Sequence, residues 1–372
     1  MIAATFTRKA MGTFEQARDF FMQGLAHYQA GRWGAADQNF TAALSLAPGR
    51  PSVLTNLGAT RLKLGKFQEA ADLLEEALAQ EPDNAEALGH RATALAELGQ
   101  LPQAVACVER ALAIAPGVGA AWALRGNLMK ELGRVDEAIT SFRNAIERGA
   151  DNELNRYCLA ALTGQGAPLN APKQYVQSLF DGYAQGFDAH LVEVLRYRAP
   201  QVLLEGLKRS GRSFERALDL GCGTGLCGPL MRPLAATLDA VDLSANMVAR
   251  ASALGVYDDV VQADVAQYLA DTLHRYDLVL AADVFIYVGA LEAVFAGAAR
   301  VLQPQGVFCF SVEAAPTGED LALRPSMRYA HSRSYIEKLA TANGLVVTEV
   351  VEQPVREDQR VAIEGLYFWL RR

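Results

Sequence analysis

Small residues recur every 34 positions through the first half of this chain. Glycine stands at Gly31, Gly65, Gly99 and Gly133, alanine at Ala36, Ala70, Ala104 and Ala138, and alanine again at Ala43, Ala77, Ala111 and Ala145. Proline falls near the end of three units, at Pro48, Pro82 and Pro116, and Ala150 takes the fourth place. Two amphipathic stretches flank each glycine, as at 52–64 and 67–80, so each unit predicts helix, turn, helix, with the small residues where two helices must approach closely. One such unit cannot cover its own apolar face. Stacking against its neighbours is the solution open to it, and the pattern therefore predicts a helical solenoid.

The pattern resembles the tetratricopeptide repeat (TPR) family, with units at about 17–50, 51–84, 85–118 and 119–152. A further amphipathic stretch at 153–162 stops at Gly164 and is expected to cap the stack. The resemblance implies a concave groove lined by the first helix of each unit, through residues such as Arg18, Phe21, Tyr28, Thr55, Glu86 and Thr93, and a protein partner bound there. Only Lys63, Asn127 and Lys130 match the Lys, Arg and Asn set with which some members hold acidic peptide tails. The partner stays unspecified.

A chain of 372 residues is long enough for a second core. Residues 164–174 contain Gly, Pro and Asn without apolar periodicity, and read as a linker between a repeat domain at 1–163 and a second domain at 175–372. Residues 1–174 carry 17 basic and 18 acidic side chains and the remainder 18 and 24, so neither half signals a phosphate-tracking surface. Five cysteines form no CxxC pair, and five histidines lack ligand spacing. No metal is expected. With no apolar run of about 20 residues and no signal-like start, the expectation is a cytoplasmic protein with reduced thiols.

The second domain is organised around 215–225, an apolar strand carrying Asp219 that breaks into Gly221-Cys222-Gly223-Thr224-Gly225. Glycines at alternate positions let a ligand lie against bare main chain. A dinucleotide fingerprint would need glycine where Leu226 stands, and a phosphate loop would need a following GK[ST] that is absent. The run DLGCGTG resembles the first motif of class I S-adenosylmethionine (SAM) dependent methyltransferases, whose product is S-adenosylhomocysteine (SAH). That resemblance implies a Rossmann-like α/β sheet ending in an antiparallel hairpin, and together the two halves resemble bacterial proteins that join a TPR array to a methyltransferase.

Strand and helix signals alternate from Arg216 onward, as a parallel sheet covered on both faces requires. A strand at 238–243 ends in Asp242-Leu243, and Asp242 follows Gly223 by 19 residues, the spacing at which a strand-end carboxylate takes ribose hydroxyls. Ser244 is expected to cap the next helix and Met247 to pack on the adenine. The third strand leads to Asp264-Val265, where the resemblance puts a carboxylate beside the adenine amino group. The fourth ends in Asp283. Asp264 and Asp283 have a second reading, as helix caps. The aromatic segment 175–188 resembles the lid of many methyltransferases. Its Tyr183 is the expected partner of the sulfonium, through the attraction of a cation to an aromatic face, while Phe180, Tyr183 and Phe187 also fit the apolar face of a covering helix.

Methyl transfer from a sulfonium needs alignment and desolvation more than a base. The chain has Asp283-Val-Phe-Ile-Tyr287 where amino-group methyltransferases acting on nucleobases or glutamine show [ND]PP[YF]. Tyr287 and His331 are the acid–base candidates, His331 in the connection after the fifth strand. The acceptor is not specified. Two functions follow: an active methyltransferase whose repeats recruit a partner or substrate, or a repeat scaffold with a SAM-binding, non-catalytic second half.

Overall fold

A computed structural model describes residues 2–183, 195–358 and 361–372. The chain divides into two compact units, Met1–Leu159 and Ala160–Arg372. The division falls inside a helix, a few residues before the linker expected at 164–174.

The first unit is a succession of antiparallel helix pairs: α1 (Ile2–Gln29) with α2 (Trp33–Leu46), α3 (Pro51–Lys63) with α4 (Phe67–Gln80), α5 (Ala85–Glu97) with α6 (Leu101–Ile114), and α7 (Gly119–Glu131) with α8 (Val135–Glu147). α9 (Glu153–Thr163) follows. The periodic alanines explain the pairing, since Ala36, Ala70, Ala104 and Ala138 are all fully buried. At the turn of the second repeat Gly65 has φ +71°. That left-handed residue lets the Lys66 N–H reach back to the Arg61 carbonyl at 2.9 Å, closing the helix end. Of the residues assigned to the groove, Thr55 is buried and Phe21 packs on Phe40, so these two belong to helix packing. α1 also begins 15 residues earlier than the repeat pattern (Ile2 against residue 17).

The second unit opens with α10 (Lys173–Tyr183) and α11 (Ala199–Arg209). It then alternates β1 (Phe214–Leu220), the short α12 (Gly228–Met231), β2 (Ala235–Asp242), α13 (Ala245–Ala253), β3 (Asp259–Gln262), α14 (Val265–Asp271), β4 (Tyr276–Ala281), α15 (Glu292–Val301) and β5 (Leu302–Ala314). A small pair, β6 (Leu321–Leu323) and β7 (Tyr329–His331), precedes α16 (Arg333–Ala342), β8 (Val346–Glu352), a second small pair β9 (Arg356–Asp358) and β10 (Val361–Ile363), and β11 (Gly365–Arg371). The sheet order is β3-β2-β1-β4-β5-β11-β8. β1 to β5 are mutually parallel, and β11 runs antiparallel to both β5 and β8.

Period-two alternation divides the strands between two cores, as a sheet covered on both faces demands. Leu218, Leu220, Val279, Phe308, Phe310 and Phe368 point into one, with Phe295 and Ile336 from α15 and α16. Ala217, Leu278, Leu280, Cys309 and Trp369 point into the other, with Leu203 and Leu207 from α11. The chain leaves β1 for β2 on one side and returns to β4 on the other. This is the switch point at which open parallel sheets present a crevice beyond their carboxyl ends.

The segment expected as a free linker is part of this unit. Ala171 donates its N–H to the Tyr287 carbonyl, the Leu169 carbonyl accepts from Ala290, and the Pro168 carbonyl accepts from the Tyr329 hydroxyl. Composition marked it as irregular chain and gave no sign of these bonds.

Candidate functional site

Beyond the carboxyl ends of β1, β2 and β4 lies a cavity of about 680 Å³, walled by the glycine loop, by α10, and by the loops after β2, β3 and β4. The loop after β1 is held from beneath. Gly221 and Cys222 both donate their N–H to the Val241 carbonyl, at 2.8 and 3.0 Å, and Gly223 donates to Asp242 Oδ2 at 2.8 Å. Gly221 has φ +76°, and a Cβ there would lie 2.5 Å from Val284 Cγ2. Only glycine fits. Gly221, Cys222 and Gly223 line the cavity, whereas Gly225 turns the chain behind the wall. Burial pushes the Cys222 thiol well above its usual range, which leaves it neutral and a poor nucleophile.

Asp242 lines the cavity from the end of β2. Its Oδ1 accepts the Ser244 N–H at 2.9 Å. Burial raises its pKa, opposed by the backbone N–H groups of Ser244 and Gly223. Those two bonds fix the carboxylate and leave lone pairs facing a ligand. Leu243 and Val265 line the cavity too. Met247 does not: it is fully buried, its N–H on Ser244 Oγ. It is a core residue of α13 rather than a cavity wall. Asp264 lines the cavity and also caps α14, accepting from the Gln267 N–H at 3.1 Å while pairing with Lys173 Nζ at 3.1 Å. Asp264 is thus a helix cap that also stands in the cavity wall.

Asp219 sits under the loop, fully buried, with Oδ2 accepting the Tyr257 hydroxyl at 2.6 Å, and is outside the cavity wall. Burial raises its pKa to about 7, Tyr257 working against that rise. The folded state thus keeps a proton that the unfolded chain has released between about 3.8 and 7. This contribution is full at the acid end and is lost as pH rises to 7. His331, whose burial lowers its pKa from 6.5 to about 4, acts in the opposite sense. The unfolded chain takes up the proton first, so this part of the stability grows with pH over that range. Asp219→Asn is therefore expected to make stability climb more steeply with pH between about 4.5 and 7 than in the wild type. Urea unfolding across that range measures the two slopes. Equal slopes would show that the folded state holds no such proton.

The two acid–base candidates part company. Tyr287 lines the cavity, its ring edge-on to Phe180 at 5.4 Å between centroids. His331 is fully buried in β7, with Nε2 2.8 Å from the Gly289 carbonyl and its ring stacked on Tyr335. It is a core histidine held neutral, away from the wall. Its loop reading failed because β6 and β7 are each three residues long, too short to show periodicity. The Tyr183 side chain lies outside the described residues, as do Phe187 and Asp188.

Asp181 and Arg356 gave no signal in the sequence, and Asp283, expected at the end of the fourth strand, has partners that the sequence did not show. Asp181 on α10 accepts from Ser244 Oγ at 2.5 Å, and its carbonyl accepts from Asn246 Nδ2 at 2.9 Å, fastening α10 to the start of α13. Asp283 has φ +60°, a strained angle for a non-glycine residue. Its N–H goes to Ser311 Oγ at 2.9 Å and its Oδ2 pairs with Arg356 Nη1 at 2.6 Å. Arg356, on β9, has a side chain 1% exposed and also pairs with Glu313. Burial works against its charge, and Asp283 and Glu313 overcome that, holding its pKa above the ordinary value. Arg356 and Arg328 both line the cavity. A single arginine in a charged turn has no pattern by which sequence could assign it to a site.

Comparison with known proteins bears on this geometry. The model of the methyltransferase domain family matches residues 218–310, and three tetratricopeptide repeat models match 21–85, 61–128 and 119–152. A malonyl-[acyl-carrier protein] O-methyltransferase of Enterobacter lignolyticus is 31% identical over 176 residues, 46% of this chain and 68% of that protein. A ubiquinone biosynthesis O-methyltransferase of Klebsiella pneumoniae is 34% identical over 109 residues, 28% of this chain and 45% of that protein. The chain thus spans less than half of that second relative. Among solved structures, the N-methyltransferase NodS of Bradyrhizobium japonicum with SAH is similar at 19% identity, over 52% of this chain and 97% of that one, with a TM-score of 0.44. The Arabidopsis OM64 TPR domain is similar at 26% identity, over 32% and 98%, with a TM-score of 0.31.

Proposed function

This chain belongs to the class I SAM-dependent methyltransferases, with a TPR array ahead of the methyltransferase domain, and we propose that it is an active enzyme transferring the methyl of SAM to an acceptor oxygen while the repeats bind a protein partner. The observation that carries activity is the shared cavity. The bare backbone of Gly221 to Gly223, the carboxylates of Asp242 and Asp264, and the aromatic pair Phe180 and Tyr287 all face one space of about 680 Å³. A SAM-binding scaffold without catalysis would need the loop and the acids but no added aromatic wall in the same space.

The residues present fit the cofactor. Gly221 and Gly223 bring main chain without side chains to the cavity wall, Asp242 would take the ribose hydroxyls, and Asp264 with Val265 would take the adenine. When bound, SAM supplies a methyl on a sulfonium whose departure leaves a neutral thioether. The protein's part is to fix the acceptor in line and exclude water. α10 supports the second task, fastened over the site through Asp181 and Lys173. Tyr287 is placed to orient an acceptor at the wall. Oxygen as the acceptor atom rests on the curated relatives, both of them O-methyltransferases.

No helix of the described residues is long and apolar enough to cross a membrane. The five cysteines are buried thiols outside any disulfide, which supports the reading of a reducing compartment such as the cytoplasm. Methyl transfer itself is tested with tritiated SAM against a lysate fractionated into small molecules, protein and RNA. Label entering one fraction with wild type and none with Asp242→Ala is the expected result. SAM binding with no label in any fraction would favour the scaffold reading.

A further inference from the structure

Tyr197, two residues ahead of α11, is 7% exposed, and its ring belongs to the core that this helix covers. It nevertheless lines the cavity, and its hydroxyl makes no hydrogen bond among the described residues. A tyrosine hydroxyl buried to this extent ordinarily finds a partner, because leaving it unmet is costly. Burial pushes this hydroxyl well above its usual range, and the charge of Asp283 adds to the rise. It therefore keeps its proton and stands as a donor.

Asp283 lines the same cavity with a side chain 11% exposed. Its Oδ2 is taken by Arg356, while Oδ1 receives no hydrogen bond among the described residues. The next residue, Val284, lies against Gly221, so Asp283 stands beside the loop that would hold the cofactor. One wall thus carries an unmet donor and an unmet acceptor that do not bond each other. Its described charges balance, Lys173, Arg328 and Arg356 against Asp242, Asp264 and Asp283, three and three. The group that meets both Tyr197 and Asp283 without upsetting this balance is neutral and both accepts and donates, as a hydroxyl does. Beside them Phe180, Ile286 and Tyr287 make the wall apolar and fit a flat ring.

We propose that Tyr197 and Asp283 hold the methyl acceptor by a neutral aromatic hydroxyl, which accepts the Tyr197 O–H and donates its own to the Asp283 carboxylate, the ring lying along Phe180 and Tyr287. A carboxylate is a weak base, so the proton it can take is that of an acidic hydroxyl such as a phenol's. As the phenol oxygen takes the methyl, the carbon–sulfur electron pair stays with sulfur and the hydroxyl proton passes to Asp283. Calling the phenol the methyl acceptor rests on the methyltransferase reading. The hydroxyl site itself rests on the two unmet groups and the cavity.

The test titrates phenol, aniline and benzoate into the full chain, with and without saturating SAH, followed by ligand-observed NMR. Phenol is expected to bind at least about tenfold more tightly than the other two, the usual gain from one charge-assisted hydrogen bond. Tyr197→Phe should weaken phenol about fivefold to tenfold. In the same variant SAH affinity, measured by calorimetry, should stay within about twofold and the melting temperature should not fall, because the lost hydroxyl has no described partner in the protein. Asp283→Asn should weaken phenol about tenfold or more. Phenol bound no better than aniline or benzoate, or bound equally well by Tyr197→Phe, would overturn the proposal. SAH failing to bind while phenol binds and responds to Tyr197→Phe would instead overturn the cofactor reading and leave the hydroxyl site standing.

Discussion

Asp242→Ala is expected to weaken SAM binding about a hundredfold or more. The Asp242 carboxylate has two tasks at once. It accepts the N–H of Gly223 at 2.8 Å, fixing the glycine loop, and that of Ser244 at 2.9 Å, fixing the start of α13. Its remaining lone pairs are the ones a ribose would use. Each hydrogen bond to a charged group is worth about 1.5–3 kcal/mol, so loss of two to the ligand gives at least that hundredfold factor. Asp242→Asn keeps the shape but replaces one accepting oxygen by a donor, and should lose much of the same affinity. Isothermal calorimetry decides, with the melting temperature as a check on folding. Affinity within about threefold of wild type would remove Asp242 from the site.

The second large effect is on stability. Arg356→Met would leave the buried Asp283 without its paired cation and Glu313 with only the longer pair to Arg324, at 3.5 Å. Breaking a buried pair from one side costs about 3–5 kcal/mol, because the remaining charge has neither water nor partner. Burial already raises the Glu313 pKa, with Arg356 the chief opposing influence, so this variant should also take up a proton more readily on acidification. For a unit of this size each kcal/mol lowers the melting temperature by roughly 2–4 °C, and a fall on the order of 10 °C is expected. Scanning calorimetry shows it, the transition of the second unit being identified by its rise on adding SAH. The triple variant Arg356→Met, Asp283→Asn, Glu313→Gln removes the charges together and should recover much of the loss. No recovery would mean that the cost lies in packing.

What the sequence made legible was whatever repeats or alternates. Four units at a period of 34 sufficed for eight paired helices. The apolar run 307–312 is the middle of β5, and the antiparallel ending expected of the sheet is β8 with β11. The glycine loop and its strand-end acids were legible because a ligand-binding backbone demands glycine, and a strand end demands position. Three kinds of residue were not. Met247 and His331 are polar or large enough to serve a site, and their complete burial is visible only in the folded chain. Arg356 lies in a charged turn whose own two-strand pair, β9 with β10, spans three residues each and leaves no pattern. The docked segment Pro168 to Ala171 bonds through its backbone, which side-chain identity does not report.

The position of β11 has a consequence for the order in which the two units mature on the ribosome. It is the last strand to be synthesised in the sheet, yet it lies between β5 and β8. Each helical repeat needs only residues already made, and can pack as it emerges. The sheet cannot. From the emergence of β1 until that of β11, on the order of ten seconds at bacterial elongation rates, the flank of β5 stays open. A nascent chain would therefore present a finished helical array well before it could complete the sheet and the cavity at its edge.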